Sequence, residues 1–600
     1  MTQPQSQTQP HHRNRNRRGG RRRESFRKRD EGRPAITQQN GSAHLPQLQR
    51  GKIRIIPLGG LEGIGANCTI VESDDTMVLV DVGLMFPHEG MPGIDYVIPN
   101  MEYVERNRKK LKAIFLTHGH LDHIGALPYL IERIGNPPIY GSPLAIALAK
   151  LRLEEFGLDR FAKLHAIRGT EPIRAGSFTG SMFLVNHNIP DSDGLALETP
   201  AGRLVFTGDF KFDHTPQDGH PADFGRIASI GNQGVLCLFS DSTNVEHAGY
   251  TPSEKEIGEN LDRLFAKTKG RIIVSTFPTI VSRLQQIIES SIRYNRKFAF
   301  SGLSMEKTVR VAVDLGFLKF PKEALVKLQD IDRLPDNRVT VISTGSQGQD
   351  NSALGRMGRG EHKHVQIRKG DTVILSSSPI PGNERAIQTL MSALTRLGAR
   401  VVHNKMFDIH ASGHAYQGDL RLMLSLVRPK HFVPVHGEHF MLVHHAELAA
   451  ETGVEPSNAH VLENGNILEF NKGQATLLKE RVTSTYTLVD GLGVGDVGEV
   501  VLRERQALAA DGMVVIVLRA SIENKKIIGK IEIISHGFVY SRGSERLFED
   551  VKRLVQDVAN QHSNPMDFAP LRNRLRDDVG LFLFKKTERR PMVIPIIIDV

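Results

Sequence analysis

The 600-residue chain has no tryptophan and only two cysteines, Cys68 and Cys237. Two thiols make no disulfide framework, so a reducing compartment is the expected home. No run approaches the ~20 apolar residues that span a bilayer. The apolar C-terminal segment from Met592 to Val600 is too short for that and reads as a terminal strand. The N-terminus has no apolar stretch behind its charges, so no secretory signal is expected there. The body also lacks a charge excess. The net charge is +10, but residues 1–50 hold 12 Lys and Arg against 3 Asp and Glu, leaving 65 against 64 in the rest. The segment Arg13-Asn14-Arg15-Asn16-Arg17-Arg18-Gly19-Gly20-Arg21-Arg22-Arg23 has too little apolar surface to fold by itself. An arm of this kind attracts phosphate backbones through a salt-sensitive, sequence-independent term.

What the chain does have is Thr117-His118-Gly119-His120-Leu121-Asp122-His123, directly after the apolar run Ala113-Ile114-Phe115-Leu116. This predicts a buried strand ending in a tight loop. Imidazole and carboxylate are ligands that borderline divalent metals accept. The i, i+2 spacing of His118 and His120 suits a loop turning both rings toward one ion, with Asp122 and His123 facing a second. Other apolar runs end in the same residue types: Phe183 to His187, Arg203 to Asp209, His431 to His436 and Met77 to Asp81. A metal pocket on an α/β scaffold collects side chains from several strand ends in this way. Gly59, Gly60 and Gly63 lack the G-x-G-x-x-G spacing and read as tight turns near the metal loops.

The ordered set Asp81, His118-x-His120-x-Asp122-His123, His187 and Asp209 resembles the metallo-β-lactamase superfamily. Phe239-Ser240-Asp241-Ser242-Thr243-Asn244, His410-Ala411-Ser412-Gly413-His414-Ala415 and Pro434-Val435-His436-Gly437-Glu438 resemble the three motifs of its β-CASP nucleic-acid-processing branch. Asp81-Val82-Gly83-Leu84-Met85-Phe86-Pro87, Gly208-Asp209-Phe210-Lys211-Phe212-Asp213, Thr344-Gly345-Ser346-Gln347-Gly348 and Ser376-Ser377-Ser378-Pro379-Ile380-Pro381-Gly382-Asn383-Glu384 narrow the resemblance to the ribonuclease J family. It covers roughly residues 50 to 600. Two places depart from it. Phe277-Pro278-Thr279-Ile280-Val281-Ser282-Arg283 lacks the Asn and His that usually precede the Arg, and Gln349-Asp350 stands where Glu-Pro is common. Both lie where the resemblance places RNA contacts.

The resemblance implies an α/β fold: a metallo-β-lactamase αββα sandwich, an inserted β-CASP parallel α/β domain and a small C-terminal α+β domain. Strand and helix periodicity is compatible with that plan. The expected divisions are an Arg-rich tail over 1–50, the sandwich over 51–242 and 376–470, the insertion over 243–375, a linker over 471–500 and the last domain over 501–600. Helices are expected from Asp122 to Ile134 and from Ile280 to Tyr294, and strands at Lys297–Ser301 and Val339–Ser343.

For function, the resemblance implies a ribonuclease that is both a 5′-to-3′ exonuclease on 5′-monophosphate RNA and an endonuclease, acting in RNA decay and maturation in the cytoplasm. Two divalent ions are implied: zinc from the imidazole-rich donors, with manganese as the alternative. One would be held by His118, His120 and His187, the other by Asp122, His123 and His436, with Asp209 between them. Asp81 is expected to orient a ligand histidine from behind. A metal pair lowers the pKa of a water from ~15.7 toward ~7, giving hydroxide near neutral pH. Asp241 is a proton-donor candidate if its pKa is raised, and His414 a candidate for proton transfer. His410, Ala411, Ser412, Gly413 and His414 would cradle a substrate phosphate. The expected partners are single-stranded RNA, a second copy or three more in a homodimer or homotetramer, and RNA-decay proteins. The rival readings are a DNA-processing β-CASP nuclease, a small-molecule metallo-hydrolase and an RNA-binding scaffold with a dead site. An insertion of roughly 130 residues and a basic arm suit a small substrate poorly, and an intact ligand set suits a dead site poorly.

Overall fold

The computed structural model describes residues 45–600 apart from 89, 381, 522–525, 540–543, 562–567 and 600. The Arg-rich run, and with it the expectation that this arm touches RNA, lies outside the described residues. The central strands are apolar on both sides, and the two-residue period divides their side chains between two cores. Ile53 and Ile55, Val78 and Val80, and Ala113 and Phe115 face one core; Ile56 and Leu58, Leu79, and Ile114 face another. These strands, Ile53–Gly59, Met77–Val80 and Leu111–Phe115, belong to an eight-stranded sheet that also contains Cys68–Glu72, Ile139–Gly141, Leu164–Ala166, Leu468–Asn471 and Gln474–Leu477. Its inner face packs on a six-stranded sheet through Phe178, Leu195, Leu197, Leu204, Phe206 and Phe239. Helix Pro143–Glu154 covers the first sheet, and helices Phe224–Asn232, Gln417–Val427 and His439–Glu451 cover the second. The result is the αββα sandwich.

The inserted unit is a five-stranded, wholly parallel sheet in the order Lys297–Ser301, Val339–Ser343, Ile272–Ser275, Thr372–Leu375, Arg400–His403. Parallel strands need long crossovers, and the helices that supply them bury both faces. Glu254–Lys267, Val281–Arg293 and Leu303–Asp314 lie on one side, Ala353–Gly358 and Glu384–Arg396 on the other. Arg400–His403 adds an edge strand, so this sheet reaches residue 403, past the boundary expected at 375. The segment expected as a linker is also structured: Gln474–Leu477 extends the eight-stranded sheet, and Thr487–Asp490 pairs with Tyr96–Ile98. The helix expected from Asp122 to Ile134 is broken into Leu121–Ile124 and Leu127–Leu130. Pro128 has no N–H for a continuous helix and instead suits the first turn of the second. The C-terminal unit is a three-stranded sheet, with Met513–Ser521 in the middle, packed on helices Glu545–Gln561 and Phe568–Thr587. Among the described residues no helix is long and apolar enough to cross a membrane.

After the insertion the chain re-enters the sandwich at helix Gln417–Val427 and continues as strand His431–Val435, parallel to Cys237–Asp241 with Asp241 opposite Val435. That register delivers His436 to the side of Asp241.

Candidate metal centre

Parallel neighbours end together. Met77–Val80 pairs in parallel with Leu111–Phe115, so Asp81 and the loop from Thr117 leave one sheet at the same end. In the facing sheet Gly202–Phe206, Cys237–Asp241 and His431–Val435 run in parallel toward Asp209, Asp241 and His436. The loops are tightly fitted. A Cβ on Gly83 would lie 1.6 Å from the Asp122 carbonyl oxygen. Asp81 and His436 hold left-handed φ angles of 62° and 57°, a strain that persists only where surrounding contacts enforce it.

Three donor groups result among the described residues, the ligand atoms of each within 4.8 Å of one another; the third, Asp209, Asp241, His414 and His436, overlaps the second at Asp209 and His436. His118, His120 and His187 form the first: His120 Nδ1 is 3.1 Å from both His118 Nε2 and His187 Nε2. Asp122, His123, Asp209 and His436 form the second. Asp209 Oδ2 lies 3.3 Å from His123, 3.7 Å from His118 and 3.9 Å from His187, between the clusters. Behind them, Asp81 Oδ2 is 2.8 Å from His123 Nδ1, and Asp81 in turn accepts from the Thr117 backbone N–H and hydroxyl at 2.8 and 2.9 Å. That leaves His123 Nε2 facing inward. Such a shell fixes ring orientation and tautomer.

The donor chemistry fits a pair of divalent cations. The ion pairs of Asp81, Asp122, Asp209 and Asp241 found among the described residues are all with histidines, never with Lys or Arg. Buried carboxylates without a fixed positive partner are costly. His436 Nε2 is buried with no hydrogen-bond partner.

The proton distribution shows the same shortage of positive charge. Burial, reinforced by neighbouring imidazoles, holds His118 and His187 well below their ordinary values; burial brings His120 to about 4. These are neutral donors. Burial also opposes charging His123 and His436, but Asp209 and its neighbouring carboxylates win. They raise His123 well above its usual range and push His436 up to about 10. Burial would raise Asp122, Asp209 and Asp241, yet the facing imidazoles hold all three below the usual carboxylate range.

Asp241 therefore does not meet the condition for a proton donor. Its carboxylate accepts from the Thr243 hydroxyl at 2.7 Å and pairs with His414 Nδ1 at 2.8 Å. Against the cost of burial, Asp241 raises His414. The two directions favour an ionised Asp241 facing an imidazolium at His414. The His410–His414 loop is split in its placement. Ala411 sends its methyl into the core of the inserted unit, leaving only its backbone for a substrate. His410 lies beside Arg283, Glu254 and Lys211; burial, then Arg283, bring it to about 3. Ser412 Oγ accepts from Asn244 at 2.7 Å and from the His414 N–H at 3.2 Å. Gly413 O lies 2.7 Å from His187 Nδ1, and a Cβ there would stand 2.5 Å from that ring.

The departing segment at 277–283 is not an exposed RNA grip. Ile280 is 1% exposed, and Arg283 is wholly buried. Ser282 borders a cavity of about 30 Å³ beside His187. Gln349 and Asp350 are exposed. Sequence reasoning missed Thr117, Thr243 and Asn67. Thr243 Oγ1 lies 2.8 Å from His436 Nδ1, and Asn67 Nδ2 lies 3.1 Å from His123 Nε2. Thr117 and Thr243 sit inside quoted motifs, which was the available signal. The role of Asn67 depends on a contact across 56 residues.

Comparison with known proteins gives four family matches along the chain. Residues 61–262 match the metallo-beta-lactamase superfamily, 269–394 the ribonuclease J beta-CASP domain, 398–461 the Zn-dependent metallo-hydrolase RNA specificity domain and 500–600 the ribonuclease J C-terminal domain. Ribonuclease J2 of Bacillus subtilis (strain 168) is 39% identical over 550 residues, covering 91% of this chain and 99% of that protein. Ribonuclease J 2 of Staphylococcus epidermidis (strain ATCC 12228 / FDA PCI 1200) is 40% identical, and that of Staphylococcus aureus (strain MRSA252) 39%; each match covers 91% of this chain and 98% of the relative.

Proposed function

Because the chain belongs to the ribonuclease J family, we propose that this metal-dependent ribonuclease removes nucleotides 5′-to-3′ from 5′-monophosphate RNA and also cuts internally. The observation that carries the reading is the pair of donor clusters meeting at Asp209, with the His414–Asp241 pair beside them. His118, His120 and His187 would hold one ion, Asp122, His123 and His436 the other, and Asp209 would serve both. Two divalent ions supply a water of lowered pKa and positive charge against the phosphodiester oxygens.

The protein residues supply the rest. Asp81 fixes the ring of His123. Asp241, held ionised, orients His414 through Nδ1 and leaves Nε2 to pass a proton to the departing ribose O3′. In-line attack on phosphorus then leaves a 5′-phosphate on one product and a 3′-hydroxyl on the other. Ser412 already accepts two hydrogen bonds, so its own O–H is the group left to donate to a phosphate oxygen.

The test uses one RNA sequence with a 5′-monophosphate, triphosphate or hydroxyl, and the matching DNA, each with and without chelator. Chelator-sensitive release of mononucleotides from the monophosphate RNA is expected. Equal rates on DNA, or indifference to the 5′ group, would overturn the substrate assignment. Unchanged cleavage after complete metal removal would overturn the mechanism.

A further inference from the structure

Arg283 spends a full positive charge in the interior. Its Nη2 donates to Glu254 Oε2 at 2.8 Å, its Nε to Gln286 at 2.9 Å, and its Nη1 to Ser376 Oγ and to the carbonyl of Ile409. Ser376 Oγ donates to the same Ile409 carbonyl at 2.6 Å. Ile409 immediately precedes the His410–His414 loop. On the other side, Glu254 Oε1 lies 3.6 Å from Lys211 Nζ, and Lys211 is two residues beyond Asp209. Lys211 also lies 3.7 Å from Asp213, which accepts from the Glu254 N–H at 2.8 Å. Lys211, Asp213, Glu254 and Arg283 are all nearly or completely buried. This chain of ion pairs runs from the strand end carrying Asp209, through the first helix of the inserted unit, to the base of the loop carrying His414.

We propose that Arg283 is a positioning residue for the His410–His414 loop, and that Glu254 and Lys211 complete a latch registering this loop against Asp209. The inference rests on the proposed role of His414 in proton transfer. A guanidinium suits the task because its rigid fork meets a carboxylate, a hydroxyl and a carbonyl at once. The Ile409 carbonyl has two donors aimed at it, so the loop base is fixed more firmly than one neutral bond would allow. RNA affinity draws on many phosphate contacts, whereas proton transfer depends on placement to within about an ångström. Loss of the latch should therefore lower turnover and leave KM little changed.

The full-length double variant Glu254→Gln/Arg283→Met removes both charges together, so no uncompensated Arg283 is left. Its turnover at saturating 5′-monophosphate RNA is expected to fall about tenfold to a hundredfold, with KM within about threefold. Metal stoichiometry, measured on the same samples, should match the parent because Arg283 and Glu254 touch no proposed ligand. Arg283→Lys should recover part of the loss relative to Arg283→Met. The decisive reading is a cycle with His414→Ala: in that background the double variant should cost less than about threefold. Turnover within twofold of the parent in folded, metal-loaded protein would overturn the proposal, as would fully additive losses where His414→Ala is itself impaired. A harmless His414→Ala would sink the proton-transfer role alone, since a turnover loss in the double variant would still mark Arg283 as holding the loop. If the double variant does not fold, Ser376→Ala removes one of the two bonds to Ile409 without changing charge. It should cost about threefold in turnover and nothing further in His414→Ala; no cost at all would count against the latch.

Discussion

Two clusters of buried charge adjoin each other in this molecule and are built on opposite terms. In the latch, two carboxylates, Asp213 and Glu254, face two permanent cations, Lys211 and Arg283. Despite the cost of burial, Arg283 and Lys211 bring Glu254 to about 2. In the metal centre, Asp81, Asp122, Asp209 and Asp241 face histidines only. The first cluster balances its charge as it stands. The second balances its charge only by taking up protons or cations. A buried acidic cluster whose partners can all titrate is thus responsive to pH and to metal, whereas one with Arg and Lys is a fixed brace.

Removing Asp122 should have the largest effect and break the cation-seeking cluster outright. Asp122→Ala is expected to abolish cleavage while RNA binding stays within about tenfold, because metal chemistry and phosphate contact are separate terms. Gel assays with anisotropy on the same preparation would show it, and near-native turnover would refute the two-ion reading.

The next experiment sets the clusters directly against each other by stability. In chelated protein, Glu254→Ala leaves Lys211 and Arg283 short of a partner and should cost about 3–5 kcal/mol in denaturant unfolding. Asp209→Asn also removes an anion, but the facing imidazoles can release their protons in response, so it should cost less, about 1–2 kcal/mol under the same conditions. Equal losses would erase the distinction.

Chelation and pH come next. With free metal at a hundred to a thousand times Kd, its removal should cost roughly 3–4 kcal/mol for each ion lost. His436 has a folded-state pKa of about 10, raised above its ordinary value near 6.5. Its stabilisation of the metal-free fold is therefore fully present below about pH 6.5 and lost as pH rises toward 10. Metal should take the place of those protons, so binding at pH 7 releases protons and apparent affinity increases with pH. Calorimetry in buffers of different ionisation enthalpy reads that release; no proton release would mean that the imidazoles are already neutral.

The smallest effect is expected at Gly413. Gly413→Ala pushes a methyl into the His187 ring and should weaken metal retention by about tenfold, leaving the latch untouched. Unchanged retention in a dialysis series would show that the loop yields instead.

Much of the scaffold was legible because its signals are local. Lys297–Ser301 and Val339–Ser343 read as strands since a parallel strand covered on both sides is a mostly apolar run, broken here only by Thr340 and the polar ends. Arg400–His403 was hidden: only two valines sit between polar ends, and its pairing comes from Thr372–Leu375. Thr487–Asp490 was hidden for the same reason, as its partner lies nearly 400 residues earlier. The seven proposed ligands were picked out by residue type and spacing, but the protonation of Asp241 was not, since it is set by His414 and His436 arriving after the insertion.

The sequence by itself determined the donor types, the strand-then-loop pattern that ends each strand on one of them, and the apolar periodicity of the sheets. Those follow from side-chain chemistry and from backbone periods only a few residues long. The tertiary structure alone decided that Arg283 turns inward to Ile409 rather than outward to RNA, and that Asp241 lies 2.8 Å from His414, whose imidazole holds that carboxyl low. Both outcomes depend on which charges meet out of water. Burial and distance between remote segments set that balance, and neither is a property of any local stretch of chain.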